Sequence, residues 1–532
     1  MLRNRSLIFD LLWASPPDAR PWVVDHESPW VQVDDGQVSP SAIAHAAGQA
    51  AALLESQGTR AGDRCVLWLD QPLDIVVALA GLTAIGAVPI LLSPALDIEM
   101  VGRILEPIPP VARVVTTRSR LASCSALRVD GRTDDWESLA EDARGLEPRR
   151  REVPLPATAP YVVTHTSGTT GVNKLVEYSR GGADHNSYTQ ELPAIFMGLR
   201  GYAAAGFSPV HFRAVVGLLA ALRRRIPLII MANQEPDSVG PILEKWQPTY
   251  LEAHPDTFMK WEPLAAAGSL ASVRYFFSTF DVIHPRTIKT MLNGSRSRAA
   301  MFIEIYGQSE ACAITGRVHV KGFAGRLSNR RIARRLDGHL VGRPLPGHSR
   351  IRIVGEEGTP VGPGAAGRIQ VRANGRFSTY PNNPEAAREN FKPDGWWDTG
   401  DYGKKDRLGR LTLMDRRVEK LTVAPSAIAI EDVLLERMPW LEEAVVLELD
   451  QVLIPVVATR TGAFDHADWR ASVRDLAHIG EPIVMDESAI PRTATGKVQR
   501  ASLAALVADM RREDSRAAIP EPALETTYGG GS

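Results

Sequence analysis

RCVLWLDQPLDIVVALAGLTAIGAVPILL, residues 64–92, decides the fold class. Arg64 to Leu69 is a short apolar run that reads as a buried strand, Leu73 to Ile85 is apolar and long enough for a helix, and Ala87 to Leu92 reads as a second strand. Two strands joined through a helix lie parallel, so this stretch is a βαβ unit and implies a parallel sheet. The same alternation returns with a strand around Tyr202 to Phe207, a helix from about Arg213 to Leu222 and a strand from Ile226 to Met231. Thr249 to Ala253, Val273 to Ser278 and Met301 to Tyr306 continue the series, so the first 300 residues read as α/β.

From about Leu340 the texture changes to short β segments punctuated by glycine and proline, as in Val354 to Gly367, which predicts a β-rich subdomain. The expected organisation is a large N-terminal region over 1–415, a small mobile α+β C-terminal domain over 416–510, and a flexible tail over 511–532 that ends in GGGS. No internal repeat is visible. A chain of 532 residues is too long for one core and divides into several units.

Hydrophobic residues make up 44% and charged residues 23%, the balance of an ordinary globular protein. A net charge of -1 provides no field to attract nucleic acid or anionic lipid, and the basic runs Arg223 to Arg225 and Arg330 to Arg335 read as solvated surface. Cys65, Cys124 and Cys312 have no metal-site or disulfide spacing, which fits a reducing cytoplasm. The basic start followed by Leu7 to Trp13 imitates a signal peptide only faintly, because the apolar run is short and contains Asp10. No stretch approaches the roughly 18 uncharged apolar residues of a membrane span.

Chemistry enters after the strand-like Tyr161 to Thr164, which runs into Thr166, Ser167, Gly168, Thr169, Thr170 and Gly171, with Lys174 three residues on. Glycines let backbone N–H groups turn toward an anion, hydroxyls add donors and the lysine adds charge, so the loop is suited to phosphate. It lacks the GxxxxGK[ST] order of a Walker loop. A turn of this composition is often only a turn; the preceding strand and the placed lysine favour the anion site.

The segment TSGTTGVNK, residues 166–174, resembles the phosphate loop TSGTTGxPK of the adenylate-forming (AMP-binding) superfamily, which includes acyl-CoA synthetases, peptide-synthetase adenylation domains and beetle luciferases; Asn173 stands in the proline's place. The resemblance recurs in order along almost the whole chain. Tyr306, Gly307, Gln308, Ser309 and Glu310 are similar to the family's YGxTE, which implies Glu310 on Mg²⁺ and Tyr306 near adenine. Trp397 to Asp401 resembles WxxTGD, which implies Asp401 on the ribose hydroxyls, and Arg416 stands where the family's hinge arginine also meets the ribose. Pro491, Thr493, Gly496, Lys497 and Arg500 resemble PxTxxGKxxR, which implies Lys497 as the lysine of the adenylation step. Each piece has a bland reading alone, as a strand end, a surface acid or an Asx turn; the ordered set carries the resemblance.

The resemblance implies an ATP- and Mg²⁺-dependent ligase that turns a carboxylic acid into an acyl-adenylate, releases pyrophosphate and passes the acyl group to a thiol. Two anions must meet at the α-phosphorus, so the step needs charge neutralisation and in-line positioning rather than a protein nucleophile. Glu310 with Mg²⁺, the Thr169 and Thr170 hydroxyls and Lys497 supply those roles. Coenzyme A is the leading acceptor and the phosphopantetheine of a carrier protein the second.

Several positions depart from the family. Its GGAP stretch appears as Thr279, Phe280, Asp281 and Val282, where the phenylalanine reshapes the acid pocket. Val418 replaces a polar hinge residue, Pro425 replaces the glycine presented to the pantetheine arm, and the stretch between Glu443 and Ala458 is compressed and lacks the usual hairpin. Amide, ester or β-lactone formation without a thiol therefore stays open, as does a nucleotide-binding protein without catalysis. His211 is either a guard of the acid pocket or a structural histidine, and Arg213 either meets a polar group of the substrate or faces solvent at the start of its helix.

Overall fold

The computed structural model describes residues 7–166, 172–322, 336–416, 421–493 and 496–517. Ser167 to Gly171 and Val418 lie outside the described residues, as do all four arginines between 330 and 335, and the side chain of Arg416 is likewise outside them.

Arg64–Trp68 and Val88–Leu91 pair in parallel, with Val66 opposite Ile90, and are joined through the Pro72–Ile85 helix. Every residue of that helix is buried, because it lies against the Pro40–Ser56 helix as well as its own sheet. An all-round apolar helix has no face to give to water. These strands belong to a six-stranded sheet that also contains Arg132–Asp135, Arg113–Thr116, Pro160–His165 and Leu175–Ser179.

A second sheet has thirteen strands. Ala203–Gly206, Leu228–Ile230, Tyr250–Ala253, Tyr275–Ser278 and Met301–Gln308 form its parallel core. The chain then turns back, and Cys312–Val320 pairs antiparallel with Met301–Gln308. His339–Pro344, Leu411–Arg416, Trp397–Lys405, Ala366–Ala373 and Ser349–Val354 extend the same sheet. The expected β-rich region is therefore real but continuous with the large sheet, since the antiparallel return leaves an open edge for the next strand.

After residue 421 a smaller unit has its own core of Val433, Leu434, Val457 and Trp469. Here the Ala427–Arg437 helix covers the Leu441–Leu449 and Val452–Thr459 hairpin. Asp450 and Gln451 close that hairpin at φ of 51° and 63°, the two left-handed residues of a type I′ turn. The compression read from sequence thus shortens the connection and keeps the hairpin. The last helix runs Arg500–Ala517, across the position 511 where a tail was expected to begin.

The N-terminal apolar run and one of the basic runs have definite places in the structure. The Ile8–Trp13 helix packs into the main core against three other helices. Arg223 is partly buried rather than solvated, paired with Asp184 at 2.7 Å and Glu191 at 3.1 Å, whereas Arg224 and Arg225 of the same run are exposed as expected. No helix among the described residues is long and apolar enough to cross a membrane.

Candidate active site

The carboxyl ends of the parallel strands open toward one cavity of about 520 Å³, the place where open α/β sheets bind ligands. Its walls come from both sides of residue 416: Thr166, Lys174, Tyr306, Glu310 and Asp401 before it, Lys497 after it.

A β-bulge between Tyr306 and Gly307 bends the strand end toward the cavity. A Cβ on Gly307 would lie 2.3 Å from the Cys312 carbonyl oxygen, so only glycine allows this approach. Tyr306 donates its hydroxyl hydrogen to Asp401 Oδ2 at 2.6 Å, and Gln308 Nε2 donates to the same oxygen at 2.8 Å and to the Thr399 carbonyl at 2.8 Å. Asp401 is the direct cross-strand partner of Arg416 in the antiparallel register, so the two positions that resemble the ribose-binding pair are neighbours.

Ser309 and Glu310 line the same cavity. Tyr178 donates to the Ser309 carbonyl at 2.7 Å, and Tyr380 donates to Glu310 Oε1 at 2.6 Å. The Lys174 ammonium stands 5.3 Å over the Tyr380 ring, which brings cation, ring and carboxylate together. Among the described residues no cluster of three or more His, Cys, Asp or Glu could cage a metal. One carboxylate facing a cavity of this size fits Mg²⁺, which takes most of its oxygens from phosphate and water.

Thr166 and Lys174, on either side of residues 167–171, are tied together by backbone and side-chain bonds. Thr166 N–H donates to the Lys174 carbonyl at 2.8 Å, Lys174 N–H donates to Thr166 Oγ1 at 3.1 Å, and Asn173 Nδ2 donates to the Thr166 carbonyl at 2.6 Å. Asn173 therefore makes a bond that the family's proline has no side-chain donor to form. His165 accepts from Ser93 N–H at Nε2, which leaves the proton on Nδ1 to donate to the Thr166 carbonyl at 2.9 Å. Burial lowers the pKa of His165 and keeps it neutral.

His211, His254, Phe207 and Phe280 form a ring cluster at the strand ends. Phe280 lies 4.1 Å from His254, 5.2 Å from His211 and 5.4 Å from Phe207 between ring centroids. Phe280 has φ of 81°, a glycine-like conformation that costs a side-chain-bearing residue about 1–3 kcal/mol. Its neighbour Asp281 also lines the cavity. Burial, then the charge of Lys497, pushes His254 down to about 3. His211 is lowered well below its usual value by burial, then by His254, His165 and Lys497. The ring cluster and the Lys497 ammonium thus share one electrostatic neighbourhood. His254 Nδ1, Ser278 Oγ and Thr279 Oγ1 are buried there without a hydrogen-bond partner, the signature of a place where a ligand supplies bonds.

Lys497 is held by a short turn in which Thr493 N–H donates to the Lys497 carbonyl at 2.8 Å and Lys497 N–H donates to Thr493 Oγ1 at 3.2 Å. Gly496, at φ of 75°, seats the turn on the Pro255–Lys260 helix.

Behind Phe207 lies an apolar chamber of about 140 Å³, walled by Ala203, Ala205, Met197, Leu218 and Phe277. Arg213 is not at the surface: it forks onto Glu252 at 2.8 and 2.6 Å, donates to the Tyr250 hydroxyl at 3.2 Å, and keeps a buried Nη1 without a partner. Gln308, His254 and Tyr380 were missed from sequence. Gln308 sits inside the quoted YGQSE motif and His254 directly follows a parallel strand, so both carried a usable signal; Tyr380 carried none.

A family model described as AMP-binding enzyme matches residues 17–381. The chain is 33% identical over 507 residues, 89% of its length and 90% of the relative's, to a 3-amino-2-hydroxy-4-methoxybenzoate diazotase of Streptomyces cremeus. It is 27% identical over 422 residues, covering 75% and 77% of the two chains, to an indoleacetate–CoA ligase of Aromatoleum aromaticum. The crystal structure of ATP-bound MatB from Rhodopseudomonas palustris superposes with a TM-score of 0.78 at 21% identity, over 94% of this chain and 99% of that one.

Proposed function

The chain belongs to the AMP-binding enzyme family, and from that premise we propose that it activates an acid with ATP, forms an enzyme-bound adenylate, releases pyrophosphate and transfers the activated group to a second nucleophile. The observation that carries this reading is the convergence of Lys497, the Tyr306–Asp401 pair and the Tyr380–Glu310 pair on one cavity. Lys497 bridges the acid and the α-phosphate as charge develops between two anions. Asp401 with Arg416 takes the ribose hydroxyls, Tyr306 lies by adenine, and Thr166, Lys174 and the loop Ser167 to Gly171 hold the phosphates. Mg²⁺ on Glu310 would offset phosphate charge. Three unpaired cysteines, two of them buried, fit a cytoplasmic setting.

In the first form of this reading the acid is aromatic and the acceptor a thiol, coenzyme A or a carrier's pantetheine. The chamber supports the aromatic part, since an apolar cavity of roughly 150 Å³ holds one benzene ring. Arg213, Tyr250 and Glu252 would meet polar ring substituents. An aryl acid would reach the chamber from the Lys497 side only if Phe207 or Phe280 swings aside.

A second form is favoured by Phe280 itself. Its contacts with His211, His254 and Phe207 leave no gap between rings for another ring, so the acid beside Lys497 would be a small oxyanion. The relative named a diazotase supports nitrite, whose O–N–O matches a carboxylate's O–C–O. Nitrite oxygen attacks the α-phosphorus and pyrophosphate leaves. An aryl amine then attacks the nitrosyl nitrogen and AMP leaves with its oxygen. Loss of one proton to solvent gives the N-nitrosoamine, which takes up a proton and expels water to give the aryl diazonium. The exposed Pro425, with no N–H to offer a pantetheine arm, fits an amine acceptor.

Exchange of labelled pyrophosphate into ATP, run with nitrite and with a set of aryl and short carboxylic acids, tests both. Exchange with at least one acid is expected; exchange with none, in protein that binds ATP, contradicts the adenylating function.

A further inference from the structure

Five ionisable side chains, four of them buried and the fifth, His319, partly buried, make an unbroken chain across residue 416. His284 Nδ1 lies 2.6 Å from Asp432 Oδ1, Asp432 Oδ2 lies 2.9 Å from His339 Nδ1, His339 Nε2 lies 2.5 Å from Glu304 Oε1, and Glu304 Oε2 lies 3.2 Å from His319 Nε2. Glu304 is two residues before Tyr306 on the same strand, His319 sits on the antiparallel partner strand, and His339 opens the next. His284 precedes the Pro285–Gly294 helix. Only Asp432, on the Ala427–Arg437 helix, comes from beyond residue 416.

The geometry fixes the protonation of His339. Ionised carboxylates only accept hydrogen bonds, and His339 has one on each ring nitrogen, so both nitrogens carry hydrogen and the ring is an imidazolium. Burial opposes that charge, yet Glu304 and Asp432 outweigh it.

Asp432 has a neighbour with a different grip. Glu431 pairs with Arg500 at 2.8 Å and accepts from Val446 N–H at 2.7 Å, and Arg500 stands three residues after Lys497. One helix therefore holds the N-terminal region through Asp432 and the Lys497 segment through Glu431.

We propose that His339 and Asp432 form an interdomain latch that positions Lys497 for adenylation. The proposal rests on the adenylating function and on a C-terminal domain that rotates about residue 416 between its two half-reactions. Rotation would strip Asp432 from two imidazoles and leave His339 with Glu304 alone, an uncompensated change in a buried charge set that strongly favours the latched pose. Arg286, which donates to the Leu441 carbonyl at 2.7 Å, adds a contact on the same side. His339 and Asp432 touch no reacting atom in this scheme. They are positioning residues.

The test separates pose from chemistry. Spin labels at the exposed positions 388 and 470, introduced as Arg388→Cys and Arg470→Cys, report the distance between the two regions in MgATP without any turnover. Asp432→Asn and His339→Gln should each broaden or lengthen that distance, and the double variant should go no further than Asp432→Asn alone, because that change already breaks the one interdomain pair that His339→Gln removes. Pyrophosphate exchange with the best acid should fall at least tenfold, while transfer from supplied adenylate stays within twofold. An unchanged distance in both folded variants, or an equal fall in both half-reactions, overturns the latch. If no acid supports exchange, the adenylating function fails while the distance measurement still decides the latch.

Discussion

Gly496 lies so close to Asp256 that a Cβ built on it would stand 2.1 Å from the carboxylate oxygen. The glycine two residues before Val498 therefore does more than turn the chain: its missing side chain lets the Lys497 segment rest on the Pro255–Lys260 helix. Gly496→Ala meets both a clash and a φ of 75°. It should lower adenylation at least tenfold while shifting the melting temperature by only a few degrees, and unchanged exchange would show that this seat does not set the Lys497 position.

Asp401 gathers the Tyr306 hydroxyl and the Gln308 amide on one oxygen. Asp401→Ala should weaken ATP by roughly ten- to a hundredfold, the scale of a lost charged acceptor. Tyr306→Phe, which removes only one donor to that carboxylate, should cost less. Calorimetric titration with ATP reads both, and equal affinities for native and Asp401→Ala protein would remove Asp401 from the nucleotide site.

Phe280 separates the two forms of the reaction. Phe280→Gly relieves a left-handed φ and opens the ring cluster, so exchange with benzoate-type acids should rise severalfold or appear for the first time. If nitrite is the native acid, its exchange should survive the change. Rejection of aryl acids by the Phe280→Gly protein would mean that the chamber behind Phe207 is not reached from the Lys497 side.

Histidine 339 gives an alkaline signature. Its folded pKa is raised from 6.5 to about 10, so its stabilisation is complete below about 6.5 and is lost as pH rises through about 10. The groups that set it are Glu304 and Asp432 in direct contact, with His284 and His319 on their far sides. The native melting temperature should therefore drop more steeply between those pH values than that of His339→Gln. Parallel curves would indicate a neutral His339.

The fold was legible wherever an element's partners lie close by in the chain. Arg64 to Leu92 announces its own pairing, and the strand expected over Met301 to Tyr306 is present and runs two residues further, to Gln308. Long-range polar partners were not legible. Tyr380 reaches Glu310 across 70 positions and His339 reaches Asp432 across 93, with no spacing to mark either pair. Arg213 and Arg223 look like surface charges in sequence because their acids, Glu252, Asp184 and Glu191, are 39, 39 and 32 positions away. Phe280 was read as a departure at a glycine site; that it keeps a glycine's backbone conformation and packs three rings around itself needed coordinates.

In the proposed function Lys497 completes an adenylating site. Pyrophosphate exchange by native and Lys497→Ala protein, with the best acid and saturating MgATP, tests it most directly. A loss of at least about a hundredfold is expected, the scale of removing a preorganised charge from a site shielded from water, with transfer from supplied adenylate reduced far less. Exchange by a folded Lys497→Ala protein at the native rate would contradict it.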